Sequence, residues 1–330
     1  MSSAERFAPL QTYIQATLPH LNAVIRRHLD SDVWLIRQIS EYIIASGGKR
    51  LRPVVHVLAA GACGYVCADP EQDDSFKLGA VLELIHTATL LHDDVVDHSE
   101  LRRGQPTANA AFGNAASVLS GDFLYSRAFQ MMVELQRMPV MDILSCATNV
   151  IAEGEVLQLI YASEARITEV QYRGMIEAKT AKLFEASAEL GAVLADRPEW
   201  QESLAAYGRH VGIAFQLIDD LLDYTSDSAR MGKNAGDDLE EGKWTLPLLL
   251  AFERSDPVVQ ARLEAIVEAK DRDGLADLPD IFRETQAIES TEAAARLEAQ
   301  RAVRALDALP PSQSRDLLVE LADFAVQRST

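Results

Sequence analysis

Apolar residues recur three or four positions apart along nearly the whole chain, and convincing alternation with period two is absent. That pattern predicts an all-α protein. Residues 6 to about 29 read as one or two amphipathic helices interrupted near Pro19, because proline removes a donor from the helical ladder. Asp32 can cap a helix over 33–46, with Leu35, Ile36, Ile39 and Ile43 as its stripe and Gly47-Gly48 as its stop. Pro53 suits the first turn of the next helix. A long apolar helix is expected over 76–98, a turn over 109–113, and helices over 114–136 and 143–160. Thr168 and Gln171 have capping-box spacing, opening a helix that runs through Lys179 to Ala195. Further helices are expected over 203–225, from Pro247, and from Val258 to the end. No Pro/Gly/Ser linker is long enough to divide the chain, so residues 1–330 are expected to form a single domain.

Charge interrupts this apolar pattern at two places. The run from Ala80 to Leu91 leads into Asp93, Asp94 and Asp97, and the motif returns as Asp219, Asp220 and Asp223 after Gln216. In each cluster the first and last aspartates share a helical face, where like charges repel unless a cation lies between them. Oxygen-only ligands suit a hard cation, Mg²⁺ above all. Mg²⁺ usually takes one or two carboxylates plus substrate phosphates. Each cluster therefore reads as half a metal site, with phosphate oxygens as the missing half. Charged residues are almost never buried unpaired, so two such clusters among Leu, Ile and Val are not solvated surface.

Basic residues stand where anions would be met. Lys49, Arg50 and Arg52 lie between the glycine pair and Pro53, so side chains, backbone N–H groups and a helix dipole combine there. Arg102 and Arg103 follow the first cluster and suit bidentate phosphate contacts, or simple charge balance. His86 lies two turns before Asp93 on the same face. Lys179, mid-helix on an apolar stretch, either snorkels or faces a diphosphate. Glu153 and Glu155 read as solvated or hydrogen-bonded. Bulk composition narrows the field. Hydrophobic residues at 48% supply a substantial core, and a net charge of −19 argues against nucleic-acid binding. Three cysteines, only Cys63 and Cys67 being neighbours, point to a reducing cytosol and to core thiols rather than zinc. The N-terminus lacks a signal-peptide core, and no uninterrupted apolar run is long enough to span a membrane. A cytoplasmic protein without a membrane span is expected.

Taken in order over about residues 40–250, these motifs closely resemble those of the trans-polyprenyl diphosphate synthases. The match runs through Gly47–Pro53, Asp93-Asp94-x-x-Asp97 with Arg102-Arg103-Gly104, Lys179-Thr180, Phe215-Gln216 with Asp219, Asp220 and Asp223, Gly232-Lys233 and Gly242-Lys243. Residues 86–132 are most similar to the long-chain members. Trp244 departs from the pattern, since many members have proline there. The resemblance implies an antiparallel helical bundle around a deep central cleft (the isoprenoid synthase fold), usually as a homodimer. It also implies Mg²⁺-dependent successive 1′-4 condensation of isopentenyl diphosphate onto an allylic diphosphate, with octaprenyl to decaprenyl products for quinone side chains. By carry-over, Asp93, Asp97 and Asp219 hold three Mg²⁺, supported from behind or through waters by Asp94, Asp220 and Asp223. Arg102, Lys179, Lys233 and Lys243 contact the allylic diphosphate. Lys49, Arg52, His86 and Arg103 hold isopentenyl diphosphate, and Thr180 and Gln216 lie near the developing allylic cation.

Charge balance agrees with those roles: an allylic diphosphate of about −3 with three carboxylates is matched by three divalent ions. The departing diphosphate takes the proton, so neither His92 nor His98 is needed as a base. The growing tail is expected to pass the small Ala88 and Thr89, one turn before Asp93, and then Ile85 and Leu82. Met132 is the expected floor, with Phe129 the alternative. Competing readings are a short-chain (farnesyl or geranylgeranyl) synthase, a terpene cyclase and a non-catalytic partner subunit. A cyclase needs no second basic site, and a partner subunit predicts degraded aspartate motifs; both motifs are intact here.

Overall fold

A computed structural model describes residues 6–45, 47–102, 104–225 and 236–327. Helices α1 (Ala8–His28), α2 (Trp34–Ala45), α3 (Leu51–Ala62) and α4 (Asp74–Val96) open the chain. A ribbon of two-residue strands follows, β1 (Leu101–Arg102) antiparallel to β2 (Gln105–Pro106), with Leu101 opposite Pro106. Then come α5 (Ala108–Phe112), α6 (Asn114–Glu134), α7 (Met138–Tyr161) and α8 (Glu169–Ile176). A π-helical turn, Glu177–Ala181, joins α8 to α9 (Lys182–Leu194), and α10 (Gln201–Thr225) follows. Beyond it lie α11 (Asp237–Glu240), α12 (Leu246–Arg254), α13 (Pro257–Ala269), α14 (Leu278–Thr285), α15 (Ala287–Ala305) and α16 (Gln313–Val326).

Two long helices organise the bundle. The Asp73 carboxylate caps α4 by accepting from the Ser75 amide at 2.8 Å. Its residues Leu78 to Ile85 are buried on nearly every side, as an all-round apolar helix must be. Around it pack α1, α3, α6 and α9, while α10 packs on α9, α15 and α16. The core falls into three apolar clusters: one around α4, α6 and α7, one beneath α12 and α14, and one between α3, α9 and α16. The charged ends of α4 and α10 are thereby left facing the same cleft.

Tertiary context changed several local expectations. Helix α1 runs unbroken through Pro19. Leu10, Leu21, Val24 and Ile25 bury one continuous face, and this burial offsets a proline penalty of about 3 kcal/mol. Residues 109–113 are not a bare turn. The Thr107 hydroxyl caps α5 by accepting from the Ala110 amide. The capping box at Thr168 and Gln171 forms as expected, but the helix it opens does not continue regularly to Ala195, because the π turn interrupts it. Among the described residues α7 is the one helix long and apolar enough, by length and composition, to cross a membrane. Asp142, Glu153 and Glu155 interrupt its apolar run, and Gln158 lines the cleft.

Candidate active site

The cleft between α4 and α10 has a volume of about 1170 Å³. Asp93 and Asp97 reach it from α4 and Asp219 from α10. Each α4 carboxylate faces an ammonium. Lys179 Nζ lies 3.7 Å from Asp93, and Lys243 Nζ lies 3.8 Å from Asp97. The remaining aspartates are held by neighbours, Asp94 outside the cleft and Asp220 and Asp223 in its lining. Arg102 donates to Asp94 Oδ1 from Nε at 2.9 Å and Nη2 at 2.6 Å. Asp220 accepts from the Tyr172 hydroxyl and, at 2.6 Å, from Gln216 Nε2. Asp223 accepts from the Gly236 and Asp238 amides, each at 3.2 Å. The split between cleft-facing and supporting aspartates is not sharp, since Asp220 and Asp223 line the cleft with Asp93, Asp97 and Asp219.

Burial in an acidic crowd shifts these groups. Asp93 is raised by burial against the pull of Lys179. Burial, with Asp238 nearby, pushes Asp220 up to about 8. Burial would lower Lys243, but Asp238, Glu241 and Asp97 hold it above the ordinary lysine range. An excess of carboxylate with too few cations is the condition in which divalent ions bind well. Among the described residues no three His, Cys, Asp or Glu side chains come together closely enough to hold an ion. The two facing oxygen sets, with Lys179 and Lys243 already drawn to the α4 carboxylates, fit a metal whose remaining ligands come from a substrate.

The basic end of the cleft is shaped by backbone. Gly47 and Gly48 adopt φ of +69° and +147°, and Arg50 adopts +46°, a left-handed conformation costly for a side-chain-bearing residue. Arg50 is not free for an anion, as the sequence suggested: it forms a buried ion pair with Glu83 of α4. Its neighbours Lys49 and Arg52 line the cleft with His86. Lys49 Nζ lies 5.1 Å from the Phe324 ring centre, and the Arg52 guanidinium 4.4 Å from that of Phe184.

The π turn carries the remaining chemistry. Thr180 Oγ1 donates to Gln216 Oε1 at 2.8 Å, linking the turn to α10. Lys179 Nζ donates to Glu155 Oε2 at 2.6 Å. Glu155 is therefore not a solvated surface carboxylate. Burial raises it, against Lys179 and with Asp93, to about 7. Glu153, by contrast, is exposed and accepts from Asn149. Sequence reasoning missed Glu155, Tyr172, Asp238 and Glu241 as members of the site. Glu155 and Gln158, three apart in an otherwise apolar helix, were the available signal. Trp244 anchors its loop: it is buried, its indole donates to the Ala165 carbonyl at 3.0 Å, and it meets Phe252 edge-on.

Other sequence candidates fall elsewhere. Thr89 lines the cleft, whereas Ala88 and Met132 are fully buried in one apolar cluster, with Phe129 packed against it. His92 contacts the Val118 carbonyl and stacks on Tyr125. Arg103 and Lys233 lie outside the described residues.

Comparison with known proteins gives matches over most of the chain. The polyprenyl synthetase family model matches residues 33–285. Octaprenyl diphosphate synthase of Escherichia coli K12 is 51% identical over 311 residues, covering 93% of this chain and 94% of that protein. An all-trans-nonaprenyl-diphosphate synthase (geranyl-diphosphate specific) of Rhodobacter capsulatus is 42% identical, covering 93% and 94%. A polyprenyl synthase from Caulobacter crescentus CB15, solved with calcium and isoprenyl diphosphate, superposes with a TM-score of 0.91 at 43% identity, covering 98% of each chain.

Proposed function

The chain belongs to the polyprenyl synthetase family, and from that premise we propose that it condenses isopentenyl diphosphate successively onto an allylic diphosphate to make a long all-trans chain, octaprenyl to decaprenyl. The observation carrying this reading is that two aspartate faces and a separate basic end share one cleft, giving places for two diphosphates. A cyclase would need only one. Intact motifs on both helices favour a catalytic chain over a silent partner subunit.

In this mechanism Lys49, Arg52 and His86, joined by Arg103, hold isopentenyl diphosphate intact. Lys179, Lys243 and Arg102, joined by Lys233, bind the allylic diphosphate, with Asp93, Asp97 and Asp219 holding three Mg²⁺. When bound, these ions supply Lewis-acid stabilisation of the leaving group. The allylic C–O bond breaks and a C–C bond forms to C4 of isopentenyl diphosphate. The proton lost from its C2 passes to the released diphosphate. The Thr180 and Gln216 oxygens present partial negative charge toward the allylic carbon, which stabilises its developing positive charge. Tyr172 and Gln216 hold Asp220 in place, and the Gly236 and Asp238 amides hold Asp223.

The working form is proposed to be a single-domain homodimer in the cytoplasm, handing its product to a membrane for quinone side chains. One domain over 1–330 is supported by α16, which packs on α3 and places Phe324 beside Lys49. Free Cys63, Cys67 and Cys146 suit a reducing compartment. The deciding experiment incubates the purified single chain with Mg²⁺, isopentenyl diphosphate and short allylic primers, then separates the dephosphorylated products by chromatography. Octaprenyl to decaprenyl products are expected. Products stopping at farnesyl or geranylgeranyl would overturn the long-chain assignment, and inactivity of the lone chain would favour the partner-subunit reading.

A further inference from the structure

We propose that Gly154 and Glu155 of α7 and Gly212 of α10 are positioning residues that clamp the π turn and thereby aim Lys179 and Thr180. The proposal rests on the roles given to those two side chains above. A Cβ added to Gly154 would lie 2.8 Å from the Lys179 amide nitrogen and 3.0 Å from Ala178 Cβ. One added to Gly212 would lie 2.5 Å from Ala181 Cα and 2.9 Å from Ala181 Cβ. The π turn is thus gripped by backbone from two sides, at distances no other residue type permits.

A π turn fits one extra residue into a helical turn and widens the helix locally. Glycine on each flanking helix accommodates that width. Beside each glycine stands the group that holds a functional side chain. Glu155, next to Gly154, accepts Lys179 Nζ at 2.6 Å, and Gln216, one turn after Gly212, accepts the Thr180 hydroxyl at 2.8 Å. Close approach and side-chain aim are therefore coupled on both walls. Gly191 shows the contrasting case. Its added Cβ would meet Ala59 Cβ at 2.5 Å and the Ala60 amide nitrogen at 2.6 Å, a packing contact to α3 with no cleft side chain involved.

The test is steady-state kinetics on the full chain, varying each substrate separately, alongside thermal denaturation. Gly154→Ala and Gly212→Ala should each lower kcat about 10- to 100-fold, the scale of an ångström-level misplacement, with KM for isopentenyl diphosphate within about twofold of the parent. Glu155→Gln, which presses on nothing, should lower kcat and raise KM for the allylic partner, and it carries the test if the alanine variants fail to fold. Gly191→Ala should lower Tm with kcat near normal. Gly174→Ala on α8, whose added Cβ meets nothing within 4 Å, should leave activity unchanged. Lys179→Ala is run in parallel. If it loses turnover while Gly154→Ala, Gly212→Ala and Glu155→Gln all keep the parent kcat, the clamp is overturned alone. If Lys179→Ala keeps turnover, the role given to Lys179 fails and the clamp falls with it.

Discussion

At the scale of single residues, the cleft brings the carboxylates of α4 and α10 together with the basic Lys49, Arg52 and Lys179. Asp93→Ala and Asp219→Ala should cost on the order of 10³-fold or more in turnover while circular dichroism and Tm change little, since each would remove a carboxylate proposed to hold the metal ions. Lys49→Ala and Arg52→Ala should mainly raise KM for isopentenyl diphosphate, whose diphosphate stays intact. Lys179→Ala should mainly lower the rate of allylic ionisation, where charge develops. Equal effects of all three on both substrates would remove the separation of sites. His56 lies outside this chemistry. It is fully buried on α3, and its Nδ1 donates to the Ser187 carbonyl, which fixes the tautomer. Burial lowers it to about 4, so the folded chain keeps it neutral where the unfolded chain protonates it. Its contribution to stability is complete above about pH 6.5 and is lost as pH falls toward 4, by about 3 kcal/mol in all. Denaturant titrations from pH 7 to 4 should show that slope, and His56→Gln should flatten it.

At the scale of elements, α4 does two jobs with one sequence. Its final turn presents carboxylates, and His86, Thr89 and Leu90 in the turns before it line the cleft, whereas Leu82, Ile85 and Ala88, expected on the tail's path, lie in the packed apolar cluster. Thr89 faces the cleft, but Ala88 faces the packed layer shared with Met132. We expect Thr89→Phe to shorten products by blocking the cleft directly. Ala88→Phe should shorten them as well, at the added cost of about 1–3 kcal/mol for overpacking a filled layer. Met132→Ala should lengthen or broaden the product distribution, and cost about 2–5 kcal/mol of stability. Chromatography of dephosphorylated products and thermal denaturation read both effects. Unchanged product length in all three variants would show that the tail takes another route.

At the scale of the whole molecule, α7 is the unbalanced element. One side meets the cleft through Glu155 and Gln158, while Val156, Leu159 and Ile160 form a stripe that is 56%, 51% and 49% exposed. An exposed apolar stripe of that kind is a candidate contact surface. It supports the proposed homodimer, with α7 at the seam. Sedimentation should give a dimer, and Val156→Asp with Leu159→Asp should shift it to monomer. A monomeric parent chain would remove α7 from that role.

The sequence by itself determined the helical class, because a spacing of three to four repeats along almost every segment. It also placed the paired carboxylates, because side chains four apart on an apolar helix share a face wherever that helix packs. The pairing at Thr168 and Gln171 was equally local, and it formed. What depended on contacts between distant segments was not legible. Pro19 sits inside a helix because a buried face outweighs the missing hydrogen bond. Arg50 belongs to Glu83, thirty-three positions away, rather than to an anion. Glu155 is tied into the cleft because Lys179 lies across from it, and the π turn bearing Lys179 is flanked by two glycines that no local pattern connects. Periodicity fixes which face a residue occupies, and only packing decides what that face meets.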